Sequence, residues 1–162
     1  WQWGRVQFEV LAPEPAGPGE GNNASRVLRI RAGGDSLLLP GDLEAAGERR
    51  LLAEVGDVGS DVVVAPHHGS NTSSTEPFVK GVGPGVVVFS TGYKNQWGLP
   101  EPEVVGRYRR AGAAVWRTAR SGAVRVRLGD GVQVAGYRQR ADGYWHAGSR
   151  PPPLASLASL AD

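Results

Sequence analysis

The stretch "DVVVAPHHGSNTSS" (residues 61–74) joins an apolar run to two adjacent histidines, a glycine and a cluster of hydroxyl side chains. The run has no polar alternation, which is typical of a strand buried on both faces of a parallel sheet. A second run of this kind, "GVVVFS" (residues 85–90), follows a short helical pattern in "STEPFVKGV" (residues 74–82). Strand, helix and strand in this order predict a parallel sheet with crossover helices.

The segments before this stretch predict a hairpin that leads into the same sheet. "RVQFEVL" (residues 5–11) and "SRVLRIRA" (residues 25–32) alternate polar and apolar residues, and a Gly-Gly-Asp turn connects the second to the apolar "SLLLP" (residues 36–40). A Pro/Gly loop lies between the first two. "DLEAAGERRLLAEV" (residues 42–55) predicts a helix with Asp42 suited to its N-cap. The apolar face of that helix is assigned to Leu43, Ala46, Leu51, Leu52 and Val55.

The segments after residue 90 add a helix in "PEPEVVGRYRRAG" (residues 100–112) and a short strand in "AVWRTA" (residues 114–119). "GAVRVRL" and "VQVAGYRQ", joined by a Gly-Asp-Gly turn, alternate strictly and predict an antiparallel hairpin. The fold class is therefore α/β, with a mixed (α+β) sheet and helices packed on it. The Pro-rich tail, residues 141–162, is interpreted as a linker, with a docked helix as the alternative.

Length and composition suit one domain of ordinary size. The chain has 162 residues, of which 40% are hydrophobic, and its longest apolar runs fall far below the ~18 to 20 residues of a membrane-spanning helix. It has no cysteine, which excludes disulfides and thiolate metal sites. Methionine is absent as well, even from position 1, so we expect the sequence to be a piece of a longer protein.

Charge is distributed unevenly along the chain. Residues 1–93 contain 7 basic and 11 acidic side chains, whereas residues 94–162 contain 11 basic and 5 acidic ones. A basic surplus confined to one part is typical of a polyanion-binding surface, and a solvated arginine-rich face explains it equally well.

Chemistry-bearing residues follow three of the predicted strands. Asp42 follows the first, His67 and His68 follow the second, and the segment from Thr91 to Trp97 follows the third. The carboxyl ends of parallel strands meet at one edge, where ligands collect in sheets of this kind. Aspartate and histidine there suit Zn²⁺ or Mn²⁺. The alternatives are an N-cap role for Asp42 and a doublet with one buried and one exposed ring.

Four motifs, "NNASRVLRI", "SLLLPGDLE", "DVVVAPHHGSNTSS" and "STGYKNQWGLPEPEVV", occur in this order. From about residue 6 to 128 the chain resembles the C-terminal part of the metallo-β-lactamase-like domain of the ComEC family of DNA internalisation competence proteins. The resemblance implies that residues 1–140 are the C-terminal half of an αββα sandwich. It also implies a soluble domain of an inner-membrane DNA uptake protein, on the periplasmic side. In that family the domain is thought to be a nuclease that degrades the strand not being imported.

The resemblance also implies roles for individual residues. Asp42 would be a bridging metal ligand, and His67 and His68 would be catalytic metal-site residues, with His67 the favoured ligand. The metal would be zinc or manganese in the complete domain. The partners would be DNA, single-stranded or duplex, and the transmembrane and OB-fold parts of the same parent, with this fragment a monomer. The candidate DNA contacts are Ser70, Asn71, Lys94, Asn95, Arg107, Arg110, Arg117 and Arg120.

Two departures from the family pattern bear on activity. The His-x-His-x-Asp-His motif of the fold is absent, since the chain has histidine only at positions 67, 68 and 146, and we expect the sequence to begin after it. Leu99 stands where many relatives carry a further histidine. We therefore expect an empty or nearly empty metal site and no nuclease activity from this chain alone. The alternative is a non-catalytic DNA-binding or scaffold module that uses Arg107, Arg109, Arg110, Arg117, Arg120, Arg125 and Arg127; His146 is assigned to the surface.

Overall fold

A computed structural model describes residues 1–11, 21–139 and 155–156, and its main feature is a seven-stranded mixed sheet with strands in sequence order. The strands are β1 (Gln2–Trp3), β2 (Val6–Val10), β3 (Leu28–Ala32), β4 (Asp35–Leu39), β5 (Val62–Val64), β6 (Val86–Phe89) and β7 (Ala114–Arg117). Strands β1 to β4 pair antiparallel, and β4 to β7 pair parallel. The mixed α/β fold predicted from the sequence is confirmed.

Three helices connect the parallel strands and cover one face of this sheet. They are α1 (Ala45–Val55), α2 (Glu76–Val82) and α3 (Pro102–Arg110). Side chains such as Leu51, Phe78 and Tyr108 are fully buried against the alternate valines of the strands. The ring of Tyr108 meets that of Phe89 edge to face, with centroids 5.8 Å apart. A single helical turn, α4 (Thr118–Ser121), follows β7.

A second sheet covers the other face. It contains β8 (Val124–Arg127), β9 (Gln133–Gly136) and β10 (Ala155–Ser156), paired antiparallel in the order β10-β9-β8. Val132 and Val134 pack with Val62, Val86 and Val88 of the main sheet. The C-terminal hairpin predicted from the sequence is therefore present, but it does not extend the mixed sheet as expected. Its alternation gives it one apolar face, and the valine-rich parallel strands need cover on both faces, so the hairpin packs across them.

Helix α1 differs from the sequence prediction at its start and in its buried face. It begins at Ala45, three residues after Asp42, so Asp42 is not its N-cap. Ala46, assigned to the apolar face, is exposed, whereas Gly47 and Glu48 are buried. A Cβ on Gly47 would come within 2.4 Å of the Leu43 side chain and 2.7 Å of Asn23 Oδ1, so a larger residue here would have to displace both side chains.

The predicted 141–162 tail and His146 lie outside the described residues, apart from the two residues of β10. Residues 12–20 of the Pro/Gly loop also lie outside them, and Gly21–Ala24 forms a 3₁₀ turn. Among the helices that the structure describes, none combines the length and the apolar character needed to cross a membrane.

Candidate metal and nucleic-acid site

The carboxyl ends of β4, β5 and β6 meet at one edge of the main sheet, as the sequence predicts. The loops that follow these strands carry Asp42, the histidine doublet and Thr91. The main chain ties the first two loops together, because the His67 N–H donates to the Gly41 carbonyl at 3.1 Å. Ligands in open α/β sheets bind at this edge.

The histidine doublet sits in a tight left-handed turn. His67 has φ 48° and ψ 40°, and His68 has φ 55° and ψ 17°. Non-glycine residues rarely adopt this conformation, and two in succession persist only where the surroundings hold them. The Ser70 N–H closes the turn on the His67 carbonyl at 3.0 Å. The doublet is therefore not extended chain, and its two rings are placed by the turn rather than by strand alternation.

His68 is the member of the doublet that faces Asp42. Its Nδ1 lies 2.9 Å from the Ser90 carbonyl oxygen, and its Nε2 lies 3.6 Å from Asp42 Oδ1. A carbonyl oxygen only accepts, so in the neutral ring Nδ1 carries the proton and the Nε2 lone pair is free. Histidines that bind metals are commonly oriented in this way by a carbonyl at the other ring nitrogen. Both side chains are about half exposed, at 50% and 47%.

His67 is engaged elsewhere. Its Nδ1 lies 3.2 Å from the Thr72 hydroxyl and 3.3 Å from the Glu44 carboxylate, at the start of α1. The Thr72 hydroxyl donates to the same carboxylate at 3.0 Å. The resemblance favours His67 as the ligand, whereas in the structure it is His68 that lies next to Asp42.

Asp42 and His68 are close enough that each could supply one ligand to a metal ion. Within the described residues, no three or more histidine, cysteine, aspartate or glutamate side chains are grouped so that they could hold a metal ion. Catalytic zinc normally takes three protein ligands and a water. Leu99, where the resemblance leads us to expect a histidine, lines the same cavity as His68. The described part of the chain therefore does not complete a metal centre.

A buried glutamate fixes the loop after the doublet. Glu48 of α1 is fully buried and accepts hydrogen bonds from the Ser74 N–H, from the Thr75 N–H at 2.9 Å and from the Thr75 hydroxyl at 2.7 Å. Burial raises the pKa of Glu48, against the lowering effect of these bonds. Sequence reasoning missed this residue, because a glutamate inside a helical pattern normally marks the solvent face.

Arg107 and Tyr108 of α3 hold the same loop from the other side. Arg107 donates to the carbonyls of Ser73 at 3.3 Å and Ser74 at 3.0 Å, and it pairs with Glu103 at 3.1 Å. The Tyr108 hydroxyl donates to Ser74 Oγ at 3.2 Å, and burial raises the pKa of Tyr108 well above its ordinary value. Arg107, a predicted DNA contact, thus has its guanidinium bound within the fold.

The loop between β6 and α3 borders a cavity of about 180 Å³ next to His68. Its lining residues are His68, Ser90, Thr91, Gly92, Asn95, Trp97 and Leu99. Asn95, another predicted DNA contact, closes the loop internally: its amide donates to the Leu99 carbonyl at 2.7 Å and accepts from the Leu99 N–H at 2.9 Å. Trp97 and Tyr93 are both 70% exposed, and the sequence prediction assigned neither of them a role.

The other predicted DNA contacts are spread over the same end of the fold and the helical face. Ser70 contacts Thr72 at 3.1 Å, and Asn71 is exposed. The Lys94 ammonium lies 5.6 Å from the centre of the Tyr93 ring. Arg110 borders a separate cavity between α2 and α3.

Arg117 and Arg120 lie beside the end of β7. Burial lowers the pKa of Arg117, and the nearby guanidinium groups of Arg120 and Arg109 lower it further. Arg117 therefore lies close enough to Arg120 and to Arg109 for their charges to act on it.

Fold and site together define an α/β sandwich segment that gathers an aspartate, a histidine and exposed aromatic and basic side chains at the carboxyl edge of its sheet. No family model matches the chain. Three proteins with names linked to competence or recombination are similar to it: Competence protein ComA of Neisseria gonorrhoeae, ComE operon protein 3 of Bacillus subtilis and Recombination protein 2 of Haemophilus influenzae.

The first is 43% identical over 132 residues, the second 35% over 122 and the third 37% over 126. The aligned segments cover 81%, 75% and 78% of this chain but 19%, 16% and 16% of the relatives, so the chain spans less than a fifth of their length. These similarities confirm the resemblance to ComEC-type competence proteins. The metallo-β-lactamase relationship stays a prediction.

Proposed function

We propose that the chain is the part of a ComEC-type DNA uptake protein that meets DNA at the Asp42–His68 edge. The observation that carries this proposal is the 43% identity over 132 residues to a protein named for competence. The exposed side chains of Lys94, Arg109 and Arg120 add the positive charge that a polyanion requires. In the parent, this domain would lie on the periplasmic side of the inner membrane, next to transmembrane and OB-fold parts.

In the complete parent, Asp42 and His68 would supply two ligands to a zinc or manganese ion, and residues outside the described part would supply the others. Such an ion polarises a phosphate and activates a water when it is bound. The chain's own contribution is orientation: the Ser90 carbonyl fixes the His68 ring, and the turn at Gly41 presents the Asp42 carboxylate. The reaction would be hydrolysis of a phosphodiester in the strand that is not imported.

A nuclease assay tests this role. The 162-residue chain, supplied with Mn²⁺ or Zn²⁺, should not cut DNA, because its described residues do not bring three metal ligands together. The full-length parent should cut DNA, and Asp42→Ala or His68→Ala should abolish cleavage, while His67→Ala should retain most of it. Parent activity that survives Asp42→Ala and His68→Ala would overturn the assignment, as would Asp42-dependent cleavage by the isolated chain.

A non-catalytic DNA-binding or guiding module is the second candidate. It is supported by the lack of a third ligand among the described residues and by Leu99 at the site. If it is correct, the full-length parent should bind DNA without cutting it, and Asp42→Ala should leave transformation frequency unchanged. Transformation and cleavage measured on the same Asp42→Ala parent therefore separate the two candidates.

The isolated chain is proposed to be a monomer in solution. Sedimentation measured across a tenfold range of concentration should give a single species of 17.1 kDa. A shift to twice this mass would contradict the proposal.

A further inference from the structure

The cavity beside His68 adjoins a second cleft. It shares His68 and Ser90 with this cleft, which contains Asp42 and lies over the ends of β4 and β5. A ligand in the first cavity would therefore reach the edge that carries the candidate metal ligands. With a volume of about 180 Å³, the cavity is smaller than the ~300 to 1,000 Å³ typical of drug-sized ligands. It suits one flat group rather than a whole small molecule.

Trp97 forms an exposed aromatic wall of this cavity. An indole that is 70% exposed contributes little to the core, and one face of its ring is free to stack on a ligand in the cavity. The loop that carries it is rigidly closed by the two Asn95–Leu99 hydrogen bonds and by the Glu101 N–H, which donates to the Gly69 carbonyl at 3.0 Å. Trp97 is therefore presented on a preorganised loop, which lowers the cost of binding.

The polar atoms of the cavity fit the edge of a nucleobase. Thr91 lines the cavity, and its Oγ1 is buried without a hydrogen-bond partner, so a χ1 rotation that turns this hydroxyl into the cavity breaks no hydrogen bond and lets it donate or accept. Leu99 supplies an apolar contact, and Lys94 on the same loop supplies a positive charge for the DNA backbone. A flat ring with hydrogen-bonding edges, attached to an anionic chain, matches all three features.

We propose that this cavity binds one unstacked base of single-stranded DNA, stacked on Trp97, next to the Asp42–His68 edge. The inference rests on the proposed function and adds the strand form that the site selects. A base inside a duplex is paired and stacked and cannot enter the cavity, so the site should prefer single strands.

The test compares two oligonucleotides of equal length and charge, an oligothymidylate and an abasic strand, by fluorescence anisotropy with the 162-residue chain. Aromatic stacking is typically worth enough per base to weaken oligothymidylate binding by roughly 5- to 100-fold in Trp97→Ala. Binding of the abasic strand should not change, because it has no base to stack. Trp97→Phe should restore most of the affinity. Trp3→Ala removes a side chain that is 81% exposed on β1 and serves as the matched control.

The outcomes distinguish this inference from the proposed function. If the wild-type chain binds neither strand, the proposed function fails. If it binds both strands equally, or if Trp97→Ala weakens both to the same extent, DNA binding stands and the base site is wrong. Thr91→Val is a second check, because it keeps Trp97 and the size of residue 91. It should lower the affinity for oligothymidylate and leave the affinity for the abasic strand unchanged. Circular dichroism of each variant confirms that it has folded.

Discussion

His68 Nε2 lies 3.6 Å from Asp42 Oδ1, across the loops that follow two adjacent parallel strands. The contact exists because both histidines adopt left-handed backbone angles, which bring the second ring over the sheet edge. The Ser90 carbonyl then fixes the ring from the third strand. Three strands thus determine the position of one imidazole.

The protonation of the neutral His68 ring follows from this geometry. We expect the Nδ1–H tautomer, because Nδ1 faces a carbonyl that only accepts. Nitrogen-15 NMR of the imidazole, recorded where the ring is neutral, should show a protonated Nδ1 and a free Nε2. Addition of Zn²⁺ should broaden or shift the His68 Nε2 signal before those of His67. A dominant Nε2–H tautomer would contradict the Ser90 contact.

The start of α1 depends on Asn23 rather than on Asp42. Asn23 Oδ1 accepts from the N–H groups of Glu44 at 3.1 Å and Gly47 at 2.9 Å, so it caps the helix from a distant segment. Asn23→Ala should lower the free energy of unfolding by about 1 kcal/mol, as the loss of a cap does. Asp42→Ala should change it by less than about 0.5 kcal/mol. Urea denaturation measures both values.

Asn22→Ala is the matched control for Asn23→Ala. Asn22 is exposed, and its side chain donates one hydrogen bond of 3.3 Å to Glu44. Asn22→Ala should resemble Asp42→Ala. A loss of stability from Asp42→Ala as large as that from Asn23→Ala would restore the N-cap role that the sequence predicts for Asp42.

Glu48 should contribute to stability in a pH-dependent way. Glu48→Gln removes one of the two carboxylate oxygens that accept from the Ser74 and Thr75 loop, while all three donors remain. At least one donor is then left unpaired, which should lower the free energy of unfolding by about 1 to 3 kcal/mol. Burial raises the folded-state pKa, so the folded chain binds more protons than the unfolded chain just above pH 4.5. The stabilisation from Glu48 is therefore complete below that pH and decreases as the pH rises through the folded-state pKa.

Denaturation of the wild type and Glu48→Gln from pH 4 to pH 8 measures this dependence. The advantage of the wild type should shrink as the pH rises. Glu54→Gln is the control, because Glu54 lies on the same helix and is exposed. An advantage that grows with pH would mean that the pKa of Glu48 is lowered in the folded state.

Periodicity predicted the sheet edge well, because valine runs and turn residues act locally. Val62–Val64 and Val86–Phe89 form the expected parallel strands, and the loops after them carry the expected polar groups. Periodicity could not decide between His67 and His68. Two successive residues with left-handed backbone angles leave no recognisable sequence signature unless they are glycine or asparagine. The same holds for the cap on α1, which comes from Asn23, more than twenty residues earlier.

Polar residues near a site are hard to separate by sequence into those that bind ligand and those that hold loops. Asn95 and Arg107 both belong to a motif-rich region and were predicted to contact DNA, yet their side chains are bound to main-chain atoms. Nothing in the sequence separates Trp97 from an aromatic residue that packs inward, and its exposure becomes visible only in the folded chain.

Gly69 is required by both its backbone angle and its neighbours. Its φ is +84°, and an added Cβ would lie 2.7 Å from the Phe89 ring and from Pro100. Gly69→Ala should therefore destabilise the chain by the left-handed cost of about 1 kcal/mol plus roughly 1 to 3 kcal/mol for overpacking. Gly112 has a similar φ of +87°, and an added Cβ there would meet no atom within 4 Å. Gly112→Ala should therefore show only the cost of the left-handed backbone.

Thermal unfolding of the two glycine variants isolates the packing part of the effect. The same Gly69→Ala change should weaken the Ser90 contact of His68, because the residue follows the ring directly in the turn. Equal losses of stability in both variants would show that the Phe89 and Pro100 side chains move aside without cost.

Arg107 and Arg120 should separate into a structural and a DNA-binding arginine. Arg107 donates to two buried carbonyls, so Arg107→Ala should lower the free energy of unfolding by about 1 to 3 kcal/mol. Arg120 is exposed beside Arg117, and its removal should leave stability within about 0.5 kcal/mol.

For DNA binding, Arg120→Ala should have the larger effect and Arg107→Ala the smaller one. Each phosphate contact on a single strand adds about 0.7 to the slope of log affinity against log salt. Arg120→Ala should therefore reduce that slope by about 0.7 for oligothymidylate, and Arg107→Ala, measured where it is folded, should leave the slope unchanged. Anisotropy titrations between 50 and 200 mM salt cover the range in which such effects are large. If the slope falls for Arg107→Ala and not for Arg120→Ala, the DNA phosphates contact α3 instead of the end of β7.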